Sequence, residues 1–260
     1  MTEQIPAVIL AGGKAKPDLE ALTGQRSRAL VKVNGRTLLD CAVDAVIASG
    51  DCSSVVVVGD MPPSDRYRVI PDAGDIVGNV FAGVTAAGDA RYTVIVTSDL
   101  PFLDGPAVDL FITRAMEVAE RTNAALVYPV IPVASCYARF PGVKRTSLKI
   151  REGEFTGGNL MLVRPSAMPQ IRTPLAEAYA ARKSVTRLGM MLGPGIAARL
   201  FITLLTKQPA LNIPLLEGRV SRIIGGPASA VICDSPEIAT DLDRASDFEA
   251  IGLSPGSNQP

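Results

Sequence analysis

The chain has 260 residues, 47% of them hydrophobic, and its 26 basic residues balance 26 acidic ones. That is enough apolar material for one large α/β domain or two small ones, while the balanced charge leaves no basic field to neutralise a nucleic-acid backbone. Histidine is absent, which excludes imidazole bases, histidine-based serine triads and histidine-ligated zinc.

In chain order, MTEQIPAVIL has no basic leader region, and its apolar run stops at Gly12-Gly13, so a cytoplasmic protein without a signal sequence is expected. Residues 7–10 predict a buried strand, and Gly12 to Arg28 a loop carrying Lys14, Lys16, Arg26 and Arg28. Apolar residues at helical spacing predict a helix over 37–49. Strands follow at 53–59 and 67–72, a helix at 80–88, a strand at 92–102, a helix at 105–121 and a strand at 124–130. This alternation signals parallel βαβ units. After Pro132 the character changes: residues 144–165 predict two strands joined by a turn at Glu152-Gly153, an antiparallel insertion. Helices are expected at about 176–182, 195–205 and 214–224, then strands at 229–234 and 237–243. A last helix starts at Ser246 in a Ser-x-x-Glu capping box, and residues 254–260 read as a disordered tail. The longest apolar candidate, 195–205, contains Arg199 and is too short to cross a bilayer. Cys41, Cys52, Cys136 and Cys233 form no C-x-x-C pair and read as free thiols. The economical architecture is one α/β domain over 1–253, a mostly parallel Rossmann-like sheet flanked by helices, with an inserted antiparallel hairpin and a helical segment.

Three features carry chemistry. A strand ending in Gly12-Gly13 can receive a phosphate, because glycines let backbone N–H groups approach an anion without a Cβ in the way; the same turn also occurs where nothing binds. The four cations up to Arg28 concentrate positive charge where a strand's carboxyl end opens on a crevice. Asp99 ends an apolar strand and precedes Leu100-Pro101, where a Mg²⁺ ligand for a nucleotide is wanted, although aspartate also caps turns. Asp241 and Asp243 alternate on an expected strand and therefore point to the same side, which suits a metal or a solvated edge, and Asp247 suits a helix start.

VILAGG, RALVKVNGRTLLD, VIPDAGDIVGNVFAGV, VTSDLPFL and ATDLDRASDFE resemble, in this order, the consecutive motifs of the MobA-like nucleotidyltransferases of the glycosyltransferase-A-like superfamily. The resemblance implies transfer of an NMP from an NTP, GTP or CTP, to a small phosphorylated acceptor, with Mg²⁺ and release of pyrophosphate. In-line phosphoryl chemistry asks mainly for positioning and charge neutralisation, which suits a chain without histidine. By matching positions, Leu10, Ala11, Gly12 and Gly13 would hold base and ribose, Asp72, Gly78 and Asn79 would line the base pocket, and the cationic loop would meet the triphosphate. Asp99 and Asp243 would hold the metal. The halves would then be nucleotide-binding (1–131) and acceptor-binding with a helical insertion (132–228), closed by return strands and the last helix (229–253).

Two departures stand out. The loop after the glycines is long, and Arg28 takes the place of the family's phosphate-contacting lysine, with Lys14, Lys16 and Lys32 as other cations nearby. The last motif carries Arg244-Ala245 where relatives commonly have Thr-Pro. For the acceptor, Lys149 and Arg151 alternate on one expected strand face, and Gly158 and Asn159 in TGGN resemble the acceptor-side segment of sugar nucleotidyltransferases. Lys183 and Arg187 lie at helical spacing as surface residues, and the apolar helices after Gly193 suit a homodimer interface or a lipid-like acceptor equally. A glycosyltransferase using a nucleotide sugar, or a nucleotide-binding protein without catalysis, are the alternatives.

Overall fold

A computed structural model describes residues 4–181, 191, 193–206 and 208–254. The chain opens with β1 (Ile5–Leu10), buried on both faces, and α1 (Pro17–Thr23) follows inside the stretch expected as a loop. Next, β2 (Lys32–Val33) and β3 (Arg36–Thr37) pair over Asn34 and Gly35, whose φ of 50° and 81° are the left-handed pair that a two-residue hairpin turn needs. The βα alternation then runs through α2 (Leu38–Ala48), β4 (Cys52–Val58), β5 (Arg68–Ile70), α3 (Ile76–Ala87), β6 (Thr93–Thr97) and α4 (Gly105–Thr122). Side-chain caps start these helices: Thr37 and Asp40 form a capping box, and Asp75 and Asp104 accept from the first free amides of α3 and α4.

The second part consists of β7 (Leu126–Pro132), α5 (Val133–Arg139), β8 (Leu148–Ile150), β9 (Gly153–Gly157), β10 (Leu160–Val163), α6 (Met168–Ala181), α7 (Pro194–Thr206), α8 (Ile213–Ile224), β11 (Ala228–Ile232) and α9 (Ala245–Ala250). One sheet runs through both parts in the order β5-β4-β1-β6-β10-β7-β9-β8, with β11 on the other side of β7. Only β9 and β10 run against the common direction, so the sheet is mixed but mostly parallel. Helices flank it, as expected for an α/β fold.

Alternation along β1 explains the layers. Ile5, Ala7 and Ile9 join the core that includes Val43 and Val46 of α2 and Phe111 and Ile112 of α4. Val8 points the other way, into a core with Val80 and Val84 of α3 and Ile171 of α6. At that second contact Gly83 lets α3 approach closely: a Cβ there would sit 2.3 Å from Val8 Cγ1 and 2.9 Å from Val58 Cγ2.

Several boundaries differ from expectation. The predicted two-strand hairpin over 144–165 is three strands, because β10 leaves the hairpin and enters the sheet between β6 and β7. Residues 237–243 are not a strand: Ser235-Pro236 starts a 3-10 turn (Pro236–Ala239), and the following residues are extended without a partner strand. The last helix begins at Ala245, and Asp247, not Ser246, caps it by accepting the N–H groups of Asp243 and Arg244. Helices α3 and α6 start earlier than their periodicity indicated, and α5 was not anticipated. Cys41, Cys136 and Cys233 are buried, Cys52 is partly so, and all four are free thiols. Residue 182 of the helix expected at 176–182, Lys183, Arg187 and tail residues 255–260 lie outside the described residues. Among the described residues no helix is long and apolar enough to cross a membrane.

Candidate active site

The carboxyl ends of β1, β4 and β6 meet at one edge of the sheet. Ser98 donates its N–H to Leu10 O (3.2 Å) and Ala11 donates to Val58 O (2.8 Å), so the chain leaving β1 is held between its neighbours. Gly12 lies against Asp72 and Asn79: a Cβ there would be 2.7 Å from Asn79 Nδ2 and 2.8 Å from Asp72 Oδ1. Asn79, buried on α3, donates from Nδ2 to Asp72 Oδ1 (2.8 Å) and accepts the N–H of Ala73 at Oδ1 (2.7 Å), which fixes the Asp72 carboxylate. A cavity of ≈ 350 Å³ opens here, lined by Ala11, Gly12, Gly13, Lys14, Arg26 and Asp72. Gly78 does not line it; its N–H is committed to Asp75 at the start of α3 (2.9 Å).

The long loop closes on itself. Lys14 bridges Ser27, Ala15 donates to Arg26 O (2.8 Å), and Arg28 donates its backbone N–H to Gly13 O (2.9 Å). Residues 14–27 are therefore an excursion that carries α1 outward and returns Arg28 to the glycines. Leu19 of α1 is fully buried with Val31, Leu38, Leu242 and Phe248, which anchors the excursion.

Asp99 follows β6, is only 5% exposed, and accepts from Thr97 Oγ1 (2.5 Å). The backbone of Leu242 donates to Asp99 O (2.9 Å) while the Leu242 side chain is fully buried, so Asp241 and Asp243 on either side of it both face Asp99. One carboxylate oxygen from each of Asp99, Asp241 and Asp243 lies within 4.8 Å of the others. The Arg28 guanidinium pairs with Asp99 (3.0 Å) and Asp243, and Lys16 Nζ reaches Asp243 at 2.7 Å. Lys14 is exposed and takes no part in these pairs.

The charges answer one another unequally. Burial opposes the charge on Arg28, but the carboxylates of Asp99, Asp243 and Asp241 outweigh it and hold the guanidinium above its ordinary range. Burial likewise acts to raise Asp243, yet Lys16 and Arg28 pull it below the usual carboxylate value. For Asp241, burial together with Asp99 and Asp243 outweighs a backbone hydrogen bond and Arg145, 3.9 Å away, and pushes it up to about 6. A cluster of three carboxylates offering oxygen donors to one point fits a hard cation such as Mg²⁺, which takes carboxylates together with phosphate oxygens.

Beyond Asp241 and Asp243 a larger crevice of ≈ 790 Å³ is lined by Lys16, Tyr128, Lys144, Arg145, Gly158 and Asn159, among others. Asn159 is held there by backbone bonds, its N–H to Ile238 O (2.9 Å) and its O accepting from Thr97 (3.1 Å). The glycines before it have a packing reason: a Cβ on Gly157 would meet Tyr128 Oη at 2.5 Å, and one on Gly158 would meet Ile238 Cγ2 at 2.7 Å. Lys149 and Arg151 are exposed and do not line the crevice, since β8 ends at Ile150 and Arg151 lies in the turn, its N–H on Leu211 O. Lys144 and Arg145 stand there instead. Arg145 is held by Ala239 O and Thr240 Oγ1 (2.5 Å), and no sequence signal marks it, because it sits in an irregular loop. Thr97 was findable: it ends β6, two residues before Asp99.

A family model described as "MobA-like NTP transferase domain" matches residues 7–188. A protein from Thermus thermophilus described as a hypothetical transferase is 32% identical over 94% of this chain and 99% of its own, with a TM-score of 0.80. At 10% and 12% identity, where likeness concerns the fold alone, the chain is similar to two further structures. One is CMP:2-keto-3-deoxy-manno-octonic acid synthetase complexed with CTP (TM-score 0.56, covering 95% of this chain and 96% of that one). The other is 4-diphosphocytidyl-2C-methyl-D-erythritol synthase from Anaerococcus prevotii (TM-score 0.53, covering 96% and 95%).

Proposed function

Because the chain belongs to the MobA-like NTP transferase family, we propose that it moves an NMP from an NTP to a small phosphorylated acceptor, releasing pyrophosphate with the help of Mg²⁺. The observation that carries this reading is the meeting of Arg28 with Asp99, Asp241 and Asp243, where Gly13 lines one cavity and Asp241 and Asp243 line another. The named functions of the two distant structures, CTP-bound in one case, agree with it.

In this mechanism Leu10, Ala11 and the Asp72–Asn79 pair receive base and ribose, and GTP and CTP are the nucleotides to try first. The amides of Gly12 and Gly13 approach the phosphates, with Lys14 and Lys16 neutralising their charge. Arg28, always charged, exchanges its carboxylate partners for phosphate oxygens and can grip them bidentately. Asp99 with Asp243, and Asp241 beside them, would hold Mg²⁺, which when bound neutralises and orients the triphosphate. An acceptor phosphate oxygen held near Lys144 attacks the α-phosphorus; the α–β bridging bond breaks, and pyrophosphate leaves with its electron pair. Lys144 and Arg145 thereby replace Lys149 and Arg151 as the cations on the acceptor side, with Gly158 and Asn159 forming its backbone wall.

A panel of NTPs against phosphorylated acceptors, read by pyrophosphate release with and without EDTA, tests the reading. Metal-dependent pyrophosphate formation with one acceptor class is the expected result. Magnesium-dependent NTP binding with no pyrophosphate across the panel assigns the chain to a binding role, and nucleotide-sugar consumption without pyrophosphate assigns it to glycosyl transfer.

A further inference from the structure

A second cavity of ≈ 520 Å³ lies under α6 and α8, against β7, β8, β9 and β11. Leu126, Val130, Leu148, Phe155, Met161 and Leu216 contribute to its wall. Its polar members are already committed: Glu217 Oε1 accepts the N–H of Ala230 (2.7 Å), and Ser229 Oγ bonds Thr122 Oγ1 (3.0 Å). A sugar or heterocycle placed here would leave most of its hydroxyl or ring nitrogen groups without partners, whereas a hydrocarbon brings no polar group that needs one. The volume falls in the range of about 300–1,000 Å³ usual for small-molecule sites.

The cavity is continuous in its lining with the acceptor crevice. Tyr128, Thr156 and Gly157 line both, and Tyr128 Oη donates to Gly158 O (2.6 Å) on the crevice side. Tyr128, Leu148 and Val220, all bordering the apolar cavity, are exposed at 40%, 39% and 37%, so apolar surface is left open to solvent there. On one side of Tyr128 the crevice presents Lys144, Arg145, Asp241 and Asp243; on the other the wall is mostly apolar, with Thr156, Glu217 and Ser229 as its hydrogen-bonded polar members. That pairing is complementary to an amphiphile with an anionic head and an apolar chain.

We propose that the acceptor is a phosphate ester of a long-chain alcohol, its phosphate in the crevice beside Lys144 and its hydrocarbon chain in the cavity under α6 and α8. The proposal rests on the nucleotidyl-transfer reading and names the acceptor class for it. The bond made is the same phosphoanhydride, and the chain takes no part in the chemistry.

Octyl phosphate and methyl phosphate, which share a head group, separate the contributions. Calorimetry on the full chain with Mg²⁺ and an α,β-methylene analogue of the preferred NTP, which cannot be cleaved there, should show octyl phosphate binding roughly tenfold or more tighter than methyl phosphate, since each buried CH₂ adds affinity. Val220→Trp on α8 and Ala178→Trp on α6 fill the cavity from two helices, and each should bring the octyl-to-methyl ratio close to one. Thermal melts check that both variants fold, and octyl phosphate should raise the melting temperature of the wild type but not of either variant. Equal binding of the two esters by the wild type, or an unchanged ratio in folded variants, overturns the proposal. So does loss of self-association in Val220→Trp with an unchanged ratio, which would give the cavity to a second copy of the chain. The two readings fail separately. Turnover of short acceptors with no gain from the chain removes only the cavity proposal, while cavity-dependent octyl phosphate binding without pyrophosphate from any NTP removes nucleotidyl transfer and the acceptor role with it, leaving the cavity as a binding site for the ester.

Discussion

The half of the sheet built from β1, β4, β5 and β6 and the half built from β7 to β11 solve the packing problem differently. In the first, consecutive parallel strands are covered on both faces by α2, α3 and α4, and Gly83 brings α3 within contact of Val8 and Val58 with no room for a methyl group. In the second, two antiparallel strands break the repeat, and the helices α6 and α8 stand off far enough to leave the apolar cavity. A tight half can hold charged groups to fixed positions, as Asp99 at the end of β6 requires. A half with space in it can take ligands of varied shape.

The largest expected effect tests the tight half's chemistry. Asp99→Ala should lower pyrophosphate release by roughly a thousandfold or more, with far-UV circular dichroism unchanged; turnover like the wild type would dissociate Asp99 from catalysis. Next comes its packing: Gly83→Val should cost about 1–3 kcal/mol in urea unfolding. If Gly83→Val destabilised no more than Ala178→Trp in the open half, the contrast between the halves would collapse. Third, Lys144→Ala should raise the acceptor KM by roughly tenfold with kcat little changed. The smallest effect is Lys149→Ala, expected to leave both constants alone and to move stability by less than about 0.5 kcal/mol. The opposite ranking of the two lysines would return the acceptor phosphate to the outer hairpin.

The same contrast governs what could be read from the sequence. In the first half, β-branched runs and helical spacing alternate cleanly because the main elements bury their apolar sides against one sheet, so β1, α2, β4, β5, α3, β6 and α4 were legible to within a few residues, whereas α1 and the short β2–β3 hairpin were not. Pro17, the acidic first turn and Gly24 do signal α1, but seven residues are a weak periodic pattern and the flanking cations favoured a loop. In the second half a glycine pair hid the passage of the chain from β9 into the sheet centre as β10. Asp241 and Asp243 were placed on the same side although no strand exists there, since any extended segment alternates and the buried Leu242 fixes the phase. The side-chain alternation proposed for Lys149 and Arg151 failed for the converse reason: the strand ends between them.

The excursion between Gly13 and Arg28 has a consequence for engineering. Its two stems are joined by backbone bonds at the active site, while Leu19 anchors the middle and the exposed Gly24 forms a tip where α1 ends and turns into the returning stem. Extra length added at that tip would leave the stem bonds in place, and lengthening an already closed loop costs little, about 0.6 kcal/mol for each doubling. The tip is therefore a natural graft point, where a reporter peptide or an affinity handle can be spliced in without changing where Arg28 returns.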